Sequence, residues 1–597
     1  MTDLRWLADP RLSPDGTRVA YVSRSLDHDA DEVVSRVGVV PTAGGPTVWL
    51  GAGAAPRWSP DGRLLAVSRG ETLWLVDVTT GGERQIARQG GGGVTEAAWS
   101  PDGRRLAVAR AAAVQSADGM RIDGLPGLYR RHRRVQVVDL DGRPRWTVPG
   151  DAHGPQWSSG GRLAFLTDRF GGWGDLCVAT GPDDIVRVTD GAGPVRGFAW
   201  SPDGSRLAYL GHKHGDAGDV NLRLFLTDPA AELTADWLHG LGNPVRGDDP
   251  RGTGDAPVVW SAASGRIYTE VAVGGRGPLA WFAPSSGRSG RVFDGAHTCL
   301  SPSVGGGRLA FVRSDALNPG DVHVADEPMG RSRAVTDANP AAVRAGAPMV
   351  PVPVPGIDAW LTAHGGGRQP LLVNVHGGPH GAVGWRHTAE VQRLAARGYA
   401  VLTLNPRGSQ GYGEEFATAI RGDWGGVDWQ DVTAAVAAAA ALPGVDPDRM
   451  AVWGVSYGGF MAQWAIAHTD RFACAVSENG ISDFLAAWRS PFWDLPMGGA
   501  PWSSPRYVDR SPLVHADRIR TPLLLVHAER DQVCPIAQSE QMHAALRLLG
   551  RDVELVRIPG EGHLMNLHGR PSSRARRAAA VDAFLDRHLR PSGQTNA

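Results

Sequence analysis

The sequence predicts an all-β repeat domain followed by an α/β domain, and three observations predict it. A short turn pattern recurs through the first half of the chain. From about Val350 that repeat stops, and apolar strands alternate with helical stretches. Within this second half, Gly454-Val455-Ser456-Tyr457-Gly458 joins an apolar, β-prone run to a helical one. At 597 residues the chain is too long for a single core, so two or more domains are expected.

The repeat reads aromatic or Leu, Ser-Pro-Asp-Gly, a basic residue, then an alternating apolar run. It opens as Leu12-Ser13-Pro14-Asp15-Gly16 and returns at Trp58-Ser59-Pro60-Asp61-Gly62, Trp99-Ser100-Pro101-Asp102-Gly103 and Trp200-Ser201-Pro202-Asp203-Gly204. Degenerate copies start at Trp157, Trp260 and Leu300. Pro-Asp-Gly is a tight turn, with proline fixing φ and glycine supplying φ > 0. The run after it, such as Arg206-Leu207-Ala208-Tyr209-Leu210, alternates as a half-buried strand does, and further strands such as Thr72–Asp77 follow. The seven copies lie roughly 40 to 60 residues apart, the period of a propeller blade. An all-β seven-bladed propeller is therefore expected over residues 1–345. The aromatic before each turn is assigned to packing between blades. The long spacing before the fourth copy holds Arg121-Ile122-Asp123-Gly124 to Arg131, read either as a solvated basic loop or as a loop facing the second domain.

Composition removes several function classes. The net charge is −1, and Lys213 is the one lysine among the basic residues. Nucleic-acid binding would need a basic excess, so no nucleic-acid partner is expected. Cys177, Cys299, Cys474 and Cys534 are far apart and show no metal-ligand spacing. His212-Lys213-His214 lacks a third ligand at a recognisable spacing, so no metal and no cofactor is expected. The N-terminus has no charged region followed by an apolar one, and no apolar run reaches the ~18 residues of a membrane span. The expectation is a cytoplasmic protein without a membrane partner; self-association stays open.

In the second half Leu371–Val375, Tyr399–Leu404, Phe472–Ser477, Pro522–His527 and Val553–Ile558 read as strands of a parallel, helix-flanked sheet. Helices are predicted over Ala389–Arg397, Trp429–Leu442 and Arg574–Leu589. Strand, Gly-x-Ser-x-Gly, helix is a nucleophile elbow, in which small residues must flank the serine. Asp531 follows one strand within Ala528-Glu529-Arg530-Asp531-Gln532, with Glu529 as its rival. His563 follows the last strand in Pro559-Gly560-Glu561-Gly562-His563, with His568 as its competitor. Ser456, Asp531, His563 is the chain order of an α/β-hydrolase, expected over residues 346–597. A serine hydroxyl needs a base, and the carboxylate would fix the tautomer of that base. His376-Gly377-Gly378-Pro379 ends a strand where such enzymes supply an oxyanion donor, so the N–H groups of Gly378 and Tyr457 are the candidates.

These residues resemble the prolyl oligopeptidase family, and its acylaminoacyl-peptidase-like branch in particular. Further matching segments are Asn405-Pro406-Arg407-Gly408-Ser409-Gln410-Gly411-Tyr412-Gly413, Gly422-Asp423-Trp424-Gly425-Gly426-Val427-Asp428, Arg510-Ser511-Pro512, Thr521–Leu524, Val553–Val556 and Asp123-Gly124. The resemblance implies an active site between the domains, a propeller that restricts access to small substrates, and hydrolysis of amide bonds near a peptide terminus through an acyl-enzyme. Two departures stand out. Where the branch carries Asp-x-Arg-Val-Pro, this chain has Asp531-Gln532-Val533-Cys534-Pro535, so Val533 replaces an arginine that holds a substrate carbonyl or acyl group. Val455 stands where glycine is usual before the serine. Phe484, Trp488, Phe492, Trp493 and Met497 are the candidate P1 pocket, favouring a bulky apolar group, or else they pack a domain interface. Asp123 and Glu478 are the acidic candidates for holding a free α-amine. The expected substrate is a short peptide or an aminoacyl small molecule. The expected activity is that of a serine exopeptidase of the aminopeptidase or acylaminoacyl-peptidase type, or an amidase or esterase acting on an antibiotic or biosynthetic intermediate.

Overall fold

Each Ser-Pro-Asp-Gly turn closes a hairpin between the first two strands of a four-stranded sheet, as between Trp6–Leu12 and Arg18–Asp27. The serine does two jobs at once. Its hydroxyl donates to the turn aspartate, at 2.5 Å from Ser13 to Asp15 and 2.6 Å from Ser100 to Asp102. It also accepts a backbone N–H across the turn, at 3.0 Å from Arg18 and 2.9 Å from Arg105. A polar side chain that bonds the nearby backbone in this way stabilises a turn in preference to regular structure.

The computed structural model describes residues 4–87, 93–111, 133–168, 174–215, 217–249, 257–328, 330–339, 341–488, 497 and 500–589. It divides into two units. Met1–Ser25, Val34–Pro244 and Arg251–Pro340 make the first; Leu26–Val33, Val245–Pro250 and Ala341–Ala597 make the second. The Arg121–Arg131 stretch lies outside the described residues.

Among the described residues of the first unit there are seven four-stranded antiparallel sheets, each built from strands consecutive in sequence. They are the blades of a propeller. At three blades the tryptophan before the turn ties the blade to the one before it. The indole N–H of Trp58 donates to Arg11 O at 2.8 Å, that of Trp99 to Arg57 O at 2.9 Å, and that of Trp200 to Gln156 O at 3.1 Å. The basic residue after the turn lies over the next blade's tryptophan, as Arg18 over Trp58 and Arg162 over Trp200, both 4.9 Å from the ring centre. The ring closes without any exchange of strands. Leu7, Leu12 and Tyr21 of the first blade pack with Leu300, Ala310 and Val322 of the seventh, and Arg308 donates to Gly16 O at 2.8 Å.

The second unit is built on an eight-stranded sheet. Its strands are β1 (Met349–Val354), β2 (Ile357–Thr362), β3 (Gln369–Val375), β4 (Ala400–Asn405), β5 (Val445–Val455), β6 (Cys474–Glu478), β7 (Leu523–Ala528) and β8 (Val553–Ile558). Their order is β1-β2-β4-β3-β5-β6-β7-β8. From β4 to β8 the pairing is parallel. The expected parallel sheet needs correction at one edge, where β1 and β2 form an antiparallel hairpin and β2 pairs antiparallel with β4. Pro351 and Pro353 within β1 are tolerated there because an edge strand need not donate outward.

The central strands are buried on both faces, as parallel strands are. Leu371, Val373 and Val375 of β3 point to one core, with α2 (Val427–Ala440) and α3 (Tyr457–His468). Leu372 points to the other, which is closed by α1 (Ala389–Ala396) and α5 (Pro571–Leu589); α4 (Ala537–Leu548) lies between β7 and β8 in sequence. Among the described residues no helix is long and apolar enough to cross a membrane.

Candidate active site

β5 ends at Val455 and α3 begins at Tyr457, so Ser456 alone makes the turn, with φ 62° and ψ −120°. A side chain held at positive φ costs about 1–3 kcal/mol unless its surroundings over-determine it. They do so here. Ser456 N–H donates to Glu478 O at 2.9 Å, and its carbonyl accepts the first helical bond from Phe460 at 2.9 Å. The flanking glycines are forced by close approach. A Cβ on Gly458 would stand 2.0 Å from Val375 O, and one on Gly454 would stand 2.4 Å from the Gly458 carbonyl carbon. The end of β3 is therefore pressed against the start of α3.

The loops after β7 and β8 bring the other two candidates to the serine. His563 Nε2 lies 3.0 Å from Ser456 Oγ, and His563 Nδ1 lies 2.7 Å from Asp531 Oδ2. A carboxylate can only accept, so Nδ1 carries the ring proton and Nε2 presents its lone pair to the serine hydroxyl. Asp531 is itself held. The N–H groups of Val533 and Cys534 both donate to Oδ1 at 2.8 Å. Burial alone would raise this carboxyl, but hydrogen bonds from His527, His563 and the Cys534 N–H keep it below the usual carboxylate value. The rivals sit elsewhere. Glu529 is exposed and pairs with Arg557 at 3.1 Å; His568 is exposed at the end of the short Met565–His568 helix.

The loop after β3 lies along the elbow. A Cβ on Gly377 would be 3.5 Å from Ser456 Cβ. His376 is buried, which lowers its pKa to about 4 and keeps the ring neutral. Its Nδ1 donates to Gly377 O at 2.8 Å, and Nε2 meets Ser409 Oγ at 3.0 Å. Tyr457 opens α3, where the first N–H groups have no acceptor within the helix. Its side chain turns into the core, and the hydroxyl donates to Asp428 at 2.6 Å. Burial pushes the Asp428 carboxyl up to about 6. Together these groups form a hydrogen-bonded Ser-His-Asp row, with the start of α3 and the loop after β3 beside the serine. That arrangement can deprotonate a hydroxyl as it attacks a carbonyl.

The pocket candidates divide. Phe484 is buried beside Trp424 and Phe460, with ring centres 5.7 and 5.2 Å away. Met497 is buried in the same core, and Trp488 and Val533 are partly buried against it. Trp488 also meets Trp502 edge-on at 5.2 Å. Phe492 and Trp493 lie outside the described residues, as does Asp123. Glu478 is fully buried and already engaged, accepting from Trp453 Nε1 at 2.5 Å and pairing with Arg577. Among the described residues no group of three or more His, Cys, Asp or Glu is placed to hold a metal ion.

Three residues that the sequence did not single out support the row. Asn479 sits at φ 44° after β6; its amide donates to His563 O at 2.7 Å and accepts from Ala528 N–H at 2.9 Å. His527, the last apolar-strand position but one in β7, is fully buried. Its Nε2 lies 2.8 Å from Cys534 O and 3.5 Å from Asp531 Oδ2, and its Nδ1 lies 2.7 Å from Ser539 Oγ. Cys534 is buried, which pushes its thiol well above the ordinary value. Asn479-Gly480 reads as a turn in sequence, and a histidine closing an apolar run reads as a strand end, so neither signalled a site.

Comparison with known proteins gives concordant results. A family model described as the prolyl oligopeptidase family matches residues 385–592. The Bacillus subtilis protein named uncharacterized peptidase YuxL is 30% identical, over 98% of this chain and 98% of its own. The structure of the Pyrococcus horikoshii acylaminoacyl peptidase superposes with a TM-score of 0.86 at 22% identity, covering 100% of this chain and 97% of that one. A Mycobacterium tuberculosis puromycin-hydrolyzing peptidase superposes with a TM-score of 0.70 at 21% identity, covering 98% and 94%.

Proposed function

The chain belongs to the prolyl oligopeptidase family, and on that premise we propose that this peptidase is a serine exopeptidase acting on short peptides. It cleaves amide bonds near the N-terminus, in the aminopeptidase or acylaminoacyl-peptidase manner, through an acyl-enzyme on Ser456. The observation that carries the reading is the continuous row from Ser456 Oγ to His563 Nε2 at 3.0 Å and from His563 Nδ1 to Asp531 Oδ2 at 2.7 Å.

In this reading His563 takes the serine proton as Oγ attacks the scissile carbonyl. Asp531 stabilises the imidazolium that forms. The N–H groups of Tyr457 and Gly378 receive the oxyanion, each such donor contributing about 3–4 kcal/mol to the transition state. The imidazolium then gives its proton to the leaving amine. Water enters, and the same groups hydrolyse the ester in reverse roles. The hydrolase fold (residues 346–597) supplies this chemistry, residues 1–345 supply the propeller, and the setting is cytoplasmic. Phe484, Trp488, Phe492, Trp493 and Met497 favour a bulky apolar P1 side chain.

Val533 favours a second reading, an amidase or esterase acting on an aminoacyl or peptide-like small molecule. Its side chain packs on the apolar core and offers no charged donor to a peptide carbonyl. The puromycin-hydrolyzing enzyme that shares this fold is of that kind. The test is to profile free and N-acetylated aminoacyl-arylamides, short peptides and puromycin, with a fluorophosphonate probe reporting Ser456. Turnover of the arylamides and peptides supports the exopeptidase. Poor turnover of both by a probe-reactive enzyme that cleaves puromycin supports the second reading. Full activity in Ser456→Ala would remove both.

A further inference from the structure

One short segment of the second unit, Val245–Pro250, reaches the loop that carries the candidate oxyanion donor, although it is separated from that loop by over a hundred residues in sequence. It is tied down along its length. Arg386 donates to Val245 O at 2.6 Å and pairs with Asp249, with both partners buried. Asp248 accepts the N–H of Glu390 at 2.8 Å, in the first turn of α1, where a carboxylate is favoured by the helix dipole. Between these anchors Arg246 lies on the Gly377–Ala382 stretch. Its backbone N–H donates to Ala382 O at 2.7 Å, Nη1 to Gly377 O at 3.3 Å and Nη2 to His380 O at 3.3 Å. Among the described residues it makes no ion pair, and its exposed guanidinium donates to these two carbonyl oxygens.

The carbonyl of Gly377 belongs to the same peptide unit as the N–H of Gly378. In a trans peptide the two point in opposite directions. Arg246 and His376 both hold the carbonyl, which turns the amide edge of that peptide away from them. The same stretch of loop runs beside the serine, where a Cβ on Gly377 would be 3.5 Å from Ser456 Cβ. A cation on the oxygen of a peptide also draws electron density from its nitrogen and makes the N–H a stronger donor.

We propose that Arg246 is a positioning residue for catalysis: it fixes and polarises the Gly377–Gly378 peptide so that the Gly378 N–H meets the developing oxyanion. The inference rests on the serine-hydrolase reading above and deepens it. Because Arg246 acts on the peptide and not on the substrate, its contribution lies in the transition state.

The structure offers two independent ways to disturb this contact. Arg246→Ala removes it. Gly381→Ala displaces it, because a Cβ there would meet the Arg246 side chain at 2.5 Å from Nε and 2.6 Å from Cζ. Each variant is expected to lower kcat by about 10- to 100-fold with KM within about threefold, as loss of a donor held only in the transition state requires. Adding Gly381→Ala to Arg246→Ala is expected to cost nothing further, because both act through the same guanidinium. Arg246→Lys, or methylguanidinium added to Arg246→Ala, should restore part of kcat, and the circular-dichroism melts should match wild type. Additive losses in the double variant, a loss confined to KM that follows substrate charge, or unchanged kcat would each overturn the inference. All are read against a wild type whose activity is abolished by Ser456→Ala, so failure here is distinct from failure of the serine-hydrolase reading.

Discussion

Asn479→Ala isolates the contribution of a residue that touches no substrate. Its side chain is fully buried and makes two bonds, donating to His563 O at 2.7 Å and accepting from Ala528 N–H at 2.9 Å. Truncation leaves a buried carbonyl and a buried N–H without partners, at about 1–3 kcal/mol each. Alanine at φ 44° adds about 1 kcal/mol, because only glycine, asparagine and aspartate enter that region readily. The expected loss of stability is therefore about 3–7 kcal/mol, unless a water enters to satisfy both groups. The released carbonyl belongs to the histidine of the row, and a shift of about 1 Å there is expected to cost about 100-fold in kcat. The assay pairs aminoacyl-arylamide turnover with urea unfolding followed through loss of activity. Asn479→Gly separates the two effects: it should recover about 1 kcal/mol of stability, from the backbone, and none of the rate. An Asn479→Ala enzyme with kcat within about twofold of wild type would refute the claim that this amide places the histidine loop.

Two further outcomes follow from the same site. The Asp428 carboxyl titrates near 6 when folded, above its ordinary 3.8, so the folded protein holds a proton between about pH 4 and 6 that the unfolded chain has released. Stability from this group is therefore present below about pH 4 and declines as pH rises to about 6. The stability of wild type minus that of Asp428→Asn should fall by about 1–3 kcal/mol across that window, and a flat difference in urea midpoints would count against the burial argument. Gly458→Ala puts a methyl 2.0 Å from Val375 O and must push β3 and its loop off the elbow. It should destabilise by about 1–3 kcal/mol or more and lower kcat at least 100-fold; a fully active variant would show that the two elements are not tightly packed.

What the sequence made legible was local. The Ser-Pro-Asp-Gly turns carry their conformation in four adjacent residues, and the serine–aspartate bond that fixes them spans two positions. The elbow is equally local, since Gly454 and Gly458 answer to the turn at Ser456. Ser456, Asp531 and His563 were readable because each follows a recognisable strand. The supporting contacts were not. Asn479 acts 84 residues away, on His563, and Arg246 acts 131 residues away, on Gly377. Nothing in either neighbourhood differs from an ordinary turn or linker, and only the folded sheet brings the partners together. The antiparallel hairpin of β1 and β2 was missed for another reason: Pro351 and Pro353 argue against a central strand and leave an edge strand unmarked.

The propeller's closing seam differs in kind from its other blade boundaries. Six boundaries are crossed by the chain itself, and between the fifth and sixth blades it runs through the Val245–Pro250 segment of the second unit. The seventh, between the last blade and the first, is crossed by no strand and is held by packed side chains and by bonds such as Arg308 to Gly16 O. Docking at that seam is an intramolecular association between two ends of one array, and its strength sets how far the ring breathes. Opening there breaks no backbone ladder and lengthens no covalent link, so amide exchange in the ring should be fastest where Leu12 and Ser303 meet.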